Sequence, residues 1–219
     1  MPVLNEEKIL SKTLSSIDFQ DNELIIVDGG SADNTIKIAG LFTDKIITSK
    51  KGRGAQLSAG ALSATCDILF FLHADCIPPV DTFDIIKKTL NLNGISAGSF
   101  MLGIDSKGIL FRIIETAVFI RSEITKIPYG DQGLFMTKTT YQEIGGFSGL
   151  PIMEDIEIAQ RLKKHGTIVF LREKMTVSPR RWLKEGIIYT TLRDWMIALM
   201  HTFLKINPKL LSRRYKDVR

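Results

Sequence analysis

Cysteine is nearly absent: Cys66 and Cys76 are the only two in 219 residues. That is too few for a disulfide framework and fits a reducing, cytoplasmic setting. No apolar run approaches the roughly 20 residues that a membrane-spanning helix needs. The Met1-Pro2 start, with acidic residues soon after it, does not read as a signal peptide. Cys66, His73 and Cys76 match no common zinc spacing. The GK[ST] ending of a Walker loop is missing, and so is GxGxxG. No repeat, low-complexity tract or linker is visible. These absences argue against a secreted disulfide scaffold, a zinc module and a P-loop nucleotidase.

What is present is ordinary in bulk and uneven in charge. A hydrophobic content of 44% and a charged fraction of 24% suit one globular domain. The net charge is +5. Residues 172–219 hold 12 Lys/Arg against 4 Asp/Glu, whereas the preceding 171 residues are slightly acidic. Such a basic end meets phosphorylated ligands, anionic lipid or nucleic acid, or is simply a solvated surface. The chain lacks an aromatic-basic stacking platform, and acidic groups sit at strand and helix ends, so no nucleic-acid partner is expected.

Short apolar runs alternate with helical patterns through residue 104, which predicts a doubly wound α/β sheet. The expected strands are residues 1–4, 23–27, 45–48, 68–72 and 96–104. The run Ile68 to Leu72, closed by Pro78 and Pro79, reads as a central strand apolar on both faces, as in a parallel sheet. Asp75 would then stand at its carboxyl end, where open α/β sheets bind ligands. Helices are expected over 5–16, with Asn5 as N-cap, and over 55–64, 80–90, 109–124 and 154–165. Strands are expected over 133–137, 167–171 and 175–178. One long helix is expected over 183–204. Its apolar stripe runs through Ile188, Leu192, Trp195, Leu199, Phe203 and Ile206. Two readings stand for that stripe: packing on the core, or lying on a membrane with the basic tail toward anionic lipid.

Several clusters carry chemistry. Asp28-Gly-Gly-Ser-Ala-Asp33 follows an apolar run, and Asp28 suits a base or ribose contact or an ordinary turn. Arg53, between two glycines at a helix start, suits a phosphate. His73 and Asp75 would share one side of a strand, with Asp75 a hard oxygen ligand for a divalent ion. Glu154 and Asp155 open a helix, where mutual repulsion and the helix dipole set their proton affinity. A carboxylate so placed can act as a general base. Asp131 and Gln132 lie in a Gly-flanked loop. Arg180, Arg181 and Trp182 would clamp a phosphate or anchor the last helix.

Taken together, six stretches occur in a specific order: Pro2-Val-Leu-Asn-Glu-Glu7, Ile26-Val-Asp-Gly-Gly-Ser-Ala-Asp-Asn-Thr35, Gly52-Arg-Gly54, Leu72-His-Ala-Asp75, Gly145-Gly-Phe147 and Met153-Glu-Asp155. The chain thereby resembles the family-2 glycosyltransferases with the GT-A fold, and within them a small soluble bacterial subgroup carrying GDQG, MEDIE and RRW stretches. The resemblance spans nearly the whole chain. It implies a Rossmann-like, mostly parallel central sheet flanked by helices, with a C-terminal helical extension. It also implies a single domain over 1–219: a nucleotide-sugar half (1–104), an acceptor and catalytic half (105–182) and a basic amphipathic tail (183–219).

The implied activity is inverting transfer of a sugar from a nucleotide-diphosphate donor to an acceptor hydroxyl. By the same resemblance, Asp155 is the base with Glu154 beside it, and Asp75 holds Mg²⁺ or Mn²⁺ as the last Asp of a DxD motif. Pro2, Asn5, Glu6, Asp28, Arg53 and His73 contact the donor. Asp131, Gln132, Arg180, Arg181 and Trp182 serve the acceptor or phosphate. The acceptor is unknown, and peripheral contact with the inner face of an anionic membrane is implied by the tail. Two departures stand out. His73 replaces the first carboxylate of the DxD motif, and Met1 falls inside a strand that begins earlier in the family. Extension upstream is therefore expected to raise the melting temperature. The rival classes are a nucleotidyltransferase on a similar sheet, separable by pyrophosphate release, and a non-catalytic nucleotide- or membrane-binding relative.

Overall fold

The structure, a computed structural model, describes residues 1–19, 21–150 and 152–202. The strands are β1 (Pro2–Val3), β2 (Ile26–Asp28), β3 (Ile46–Thr48), β4 (Ile68–Phe71), β5 (Cys76–Ile77), β6 (Ile95–Ile104), β7 (Leu134–Thr137) and β8 (Thr167–Val177). The helices are α1 (Leu10–Ser15), α2 (Thr35–Ala39), α3 (Arg53–Ser63), α4 (Thr82–Leu90), α5 (Ile109–Thr125), α6 (Lys138–Glu143), α7 (Glu154–His165), α8 (Arg180–Glu185) and α9 (Ile187–Thr202). A 3₁₀ turn covers Gly130–Gln132. Strands β1-β2-β3 form a parallel sheet, and a mixed sheet runs β4-β7-β6-β8-β5. Most paired positions are parallel, nine of them in the β6–β8 ladder alone. The class is α/β with a helical C-terminal part, as expected.

Small residues bring α3 onto the first sheet. A side chain at Gly60 would stand 3.1 Å from Val27 Cγ2, so the glycine lets the helix lie this close without displacing Val27. Gln56, also on α3, sends Nε2 to the carbonyls of Val3 and Val27, each at 2.8 Å. One buried amide thus ties β1 to β2 through a carbonyl of each strand. The second sheet is packed on both sides. Phe71 meets Phe147 and Tyr141 on one face, and Phe70 meets Phe83 of α4 and Phe100 on the other. Each such ring removed from water contributes about 1.5–3 kcal/mol.

Several expectations are corrected. The Ile68 to Leu72 run is apolar because both of its faces are covered, but β4 is an edge strand of its sheet, antiparallel to β7. Asp75 falls in the turn between β4 and β5 rather than on a central strand. Asn5 does not cap α1. Its backbone is left-handed (φ 54°), and its Oδ1 accepts from Ala32 N at 2.8 Å, joining the 28–33 loop. The two strands expected over 167–178 are one, because Arg172 and Glu173 bulge out between Leu171 and Lys174 while pairing with β6 continues.

The long C-terminal helix is two. Gly186, at φ 96°, breaks it into α8 and α9, a conformation that side-chain-bearing residues resist. Ile188, Leu192 and Leu199 are exposed rather than packed on the core. Phe203, Leu204 and Ile206 lie outside the described residues. Among the described residues, no helix is long and apolar enough to cross a membrane.

Candidate active site

A cleft of about 210 Å³ opens where the ends of β1 and α3 meet the turns after β4 and α5 and the start of α7. Three backbone features build it. Gly54 lets the start of α3 approach the 148–154 loop: a Cβ there would lie 2.8 Å from Ser148 O, 3.2 Å from Leu150 O and 3.3 Å from Glu154 Cβ. Arg53 thereby arrives beside Glu154. Gly130 makes room for His73, whose ring atoms would stand 2.8 Å from a Cβ. Met153, left-handed at φ 65°, turns the chain into α7.

The acidic group at α7 then divides. Glu157 is occupied by Ser148 Oγ at 2.8 Å and by Arg161 Nε at 2.7 Å, a structural clasp. Glu154 is buried, 3% exposed. Burial, then the neighbouring Asp155 charge, pushes its pKa up to about 7 against the pull of Arg53. Asp155 is half-buried and lines the cleft. Its Oδ2 accepts from Gly130 N at 3.0 Å and its Oδ1 from Ile156 N at 2.8 Å. Asp131 is half-buried, and its pKa rises to about 6. Burial is the first cause. Arg121 and Arg53 oppose it, and the charges of Asp155 and Asp75 add to it. Among the described residues its Oδ1 has no hydrogen-bond partner.

Across the cleft, Arg180 Nη2 donates to Glu6 Oε2 at 2.7 Å and reaches Asp75 Oδ2 at 3.5 Å. Burial works against the guanidinium charge, but Glu6 and then Asp75 hold its pKa above the ordinary value. Arg181 Nη2 donates to Asp194 Oδ1 of α9 at 2.9 Å. Trp182 Nε1 donates to Thr191 Oγ1 at 3.2 Å, and its ring meets Phe111 edge-on at 6.1 Å. These two residues fasten α8 to its neighbours while still touching the cleft.

Of the residues singled out from sequence, Pro2, Glu6, Arg53, His73 and Asp75 line the cleft from the first half of the chain. Asp131, Glu154, Asp155, Arg180, Arg181 and Trp182 line it from the second. Asn5, Asp28 and Gln132 do not line it. The Asp28 carboxylate is taken by its own turn, accepting from Gly30 N at 3.0 Å and Ser31 Oγ at 2.6 Å. Gln132 is buried as a brace. Its Oε1 accepts from Arg121 Nη2 at 2.8 Å and Tyr129 N at 3.0 Å, and its Nε2 donates to Phe100 O at 3.2 Å. Gln56, Tyr129 and Asp194 also line the cleft and were not singled out. Each sits one to four residues from a motif or on the unread face of α9, so nearness to the motifs was the available signal.

The fold is that of the GT-A glycosyltransferases. A mannosyltransferase from Pyrobaculum calidifontis, solved with GDP-Man and Mn²⁺, superposes with a TM-score of 0.67 at 18% identity, covering 100% of this chain and 64% of that one. TarS from S. aureus gives 0.61 at 16% identity, over 92% of this chain and 64% of the other. Glucosyl-3-phosphoglycerate synthase from Mycobacterium tuberculosis, with Mn²⁺, UDP and glucosyl-3-phosphoglycerate, gives 0.59 at 18% identity, over 91% and 76%. At such identities the likeness shows the fold alone. The chain spans less than two thirds of the first two proteins. The model of the glycosyl transferase family 2 matches residues 1–150, and the chain belongs to that family. No curated protein matches it.

Proposed function

We propose that the cleft carries out inverting transfer of a sugar from a nucleotide-diphosphate donor to an acceptor hydroxyl. One observation carries this reading: Asp75, Arg53 and Asp155, from three separate elements, converge on a single cleft. Residues 1–104 would supply the donor side and residues 105–182 the acceptor and catalytic side, with 183–219 a basic amphipathic tail and the whole chain one domain in the cytoplasm. Pro2, Glu6, Arg53 and His73 would line the donor position, with Asn5 and Asp28 shaping the loop beside it.

A divalent ion fits this donor set. The cleft holds more carboxylates than guanidiniums, and Asp131 Oδ1 is buried without a partner among the described residues. Among those residues no three His, Cys, Asp or Glu side chains form a ready cage. Asp75, with Asp131 behind it, would therefore hold Mg²⁺ or Mn²⁺ shared with a diphosphate, as Mn²⁺ accompanies the nucleotide in the relatives above. The ion would neutralise charge growing on the leaving diphosphate.

The remaining work falls to the chain itself. Arg53 would orient the phosphates, with Arg180 and Arg181 on the facing wall. Asp155, its Oδ2 aimed by Gly130 N–H, would take the acceptor proton, and single displacement would invert the anomeric carbon. Glu154, protonated near neutrality by burial, would keep a second negative charge away from that base. A thermal-shift panel of nucleotide-diphosphate sugars with Mn²⁺ tests the reading. It predicts a rise in melting temperature for at least one donor, together with metal dependence. A flat response across the panel would contradict it.

A further inference from the structure

Helix α9 presents opposite faces to two different surroundings. One face belongs to the site: Asp194 and Ala198 line the cleft, and Ile197 is buried with Ile152. On the other, Ile188 is 65% exposed, Leu192 57% and Leu199 56%. Steps of four and seven place these apolar residues along one side of the helix. Leu183 of α8 is likewise exposed. The apolar face does not stop there. On α5, Ile109, Ile113, Ile120 and Ile124 follow the same spacing and are also exposed. Trp182 of α8 and Ile187 of α9 pack on the cluster around Phe111, Ile114 and Val118, so the helices bearing the two faces adjoin.

An apolar surface of this extent on a folded chain marks a contact with something else. Charge selects which. Lys184 is exposed on α8. The sequence directly after α9, residues 203–219, holds six Lys/Arg and one Asp. Apolar residues on one helix side, with Lys184 next to Leu183 and a basic sequence following the helix, suit a bilayer with anionic headgroups, where the two attractions act together. A second copy of this chain would bring the same positive charge against itself.

We propose that the outer face of α9, continued by Leu183 and by α5, docks on an anionic membrane. The wall of the cleft formed by Asp194 and Ala198 then lies one helix diameter from the bilayer, so the acceptor is a membrane-borne amphiphile with a free hydroxyl. The nature of the acceptor rests on the glycosyltransferase reading, whereas the docking does not.

Sedimentation of the full chain with phosphatidylcholine vesicles, with and without about 30% phosphatidylglycerol, tests the docking without any turnover. The expected result is binding to the anionic vesicles, weakened by salt and lower by about tenfold or more in the double variant Leu192→Glu/Leu199→Glu. Melting temperature and nucleotide binding of that variant should match wild type, since both side chains are exposed. Ile113→Glu on α5 provides an independent second probe. Absence of anionic vesicle binding, or binding that neither variant reduces, overturns the proposal. So does a dimer in ultracentrifugation that the variants dissociate. A negative result here leaves the donor panel unaffected, and a flat donor panel leaves vesicle binding unaffected.

Discussion

The backbone N–H of Gly130 donates to Asp155 Oδ2 at 3.0 Å, joining a turn before β7 to the first residues of α7. The two residues are 25 apart in sequence. The contact fixes the direction of the carboxylate that faces the cleft. It depends on Gly130 itself, because the His73 ring occupies the space a side chain would need. Gly130→Ala should push the turn from His73 and release Asp155. Turnover is expected to fall about tenfold or more, because the lost contact positions the base, and donor affinity reports separately on the displaced His73 ring. Steady-state kinetics beside calorimetric donor binding would show it. Unchanged turnover would mean the turn does not position the base.

Glu154 makes stability depend on pH in a definite direction. Its pKa in the folded protein is about 7, above the ordinary 4.5, because burial and Asp155 penalise the charged form. The folded state therefore binds the proton more tightly than the unfolded state. The resulting stability is full below pH 4.5 and is lost as pH rises toward about 7. Asp131 acts in the same sense between 3.8 and about 6. In Glu154→Gln the part due to Glu154 should vanish. The difference in unfolding free energy between variant and wild type should grow in the variant's favour from pH 5 to 7. Denaturant titrations at several pH values measure it, and a pH-independent difference would refute the buried-acid assignment.

Gly54→Ala tests how α3 reaches the site. The added methyl meets the backbone carbonyls of Ser148 and Leu150, which cannot swing aside as a flexible side chain can. Overpacking of this kind costs about 1–3 kcal/mol. Arg53 would also move from Glu154, so donor affinity should fall with stability. Denaturant midpoints and nucleotide calorimetry report the two effects separately.

Asp75→Ala should lower the affinity for a nucleotide diphosphate with Mn²⁺ by about tenfold or more, and should leave metal-free nucleotide binding nearly unchanged. Calorimetry with and without Mn²⁺ makes the comparison. Equal metal-dependent binding in both proteins would remove Asp75 from the ion's surroundings.

Much of this was legible in the sequence for local reasons. Glu154 to His165 reads as a helix because acidic residues open it, basic residues close it and Gly166 follows. Pairing sense was not legible: Ile68 to Phe71 is apolar on both faces whether its neighbour is parallel or, as found, antiparallel β7. The continuity of β8 was hidden by Arg172 and Glu173, whose bulge a pattern of alternation cannot show. In the site, the motifs located Asp75, Arg53 and Asp155. They did not show that Asp28 and Gln132 spend their polar atoms on neighbouring backbone and side chains. Hydrogen-bond accounting of that kind needs the partners' positions. The exposed face of α9 was visible only as a stripe, and whether it packs inward depends on the rest of the fold.

The most direct test of the central claim is Asp155→Asn, assayed for sugar transfer and for donor binding in parallel. The amide keeps the Asp155 shape and, through its oxygen, the contact with Gly130 N–H; it gives up the one with Ile156 N–H and cannot take a proton. Transfer should fall by about 10²–10⁴-fold with donor affinity retained. Turnover at the wild-type rate would contradict the account.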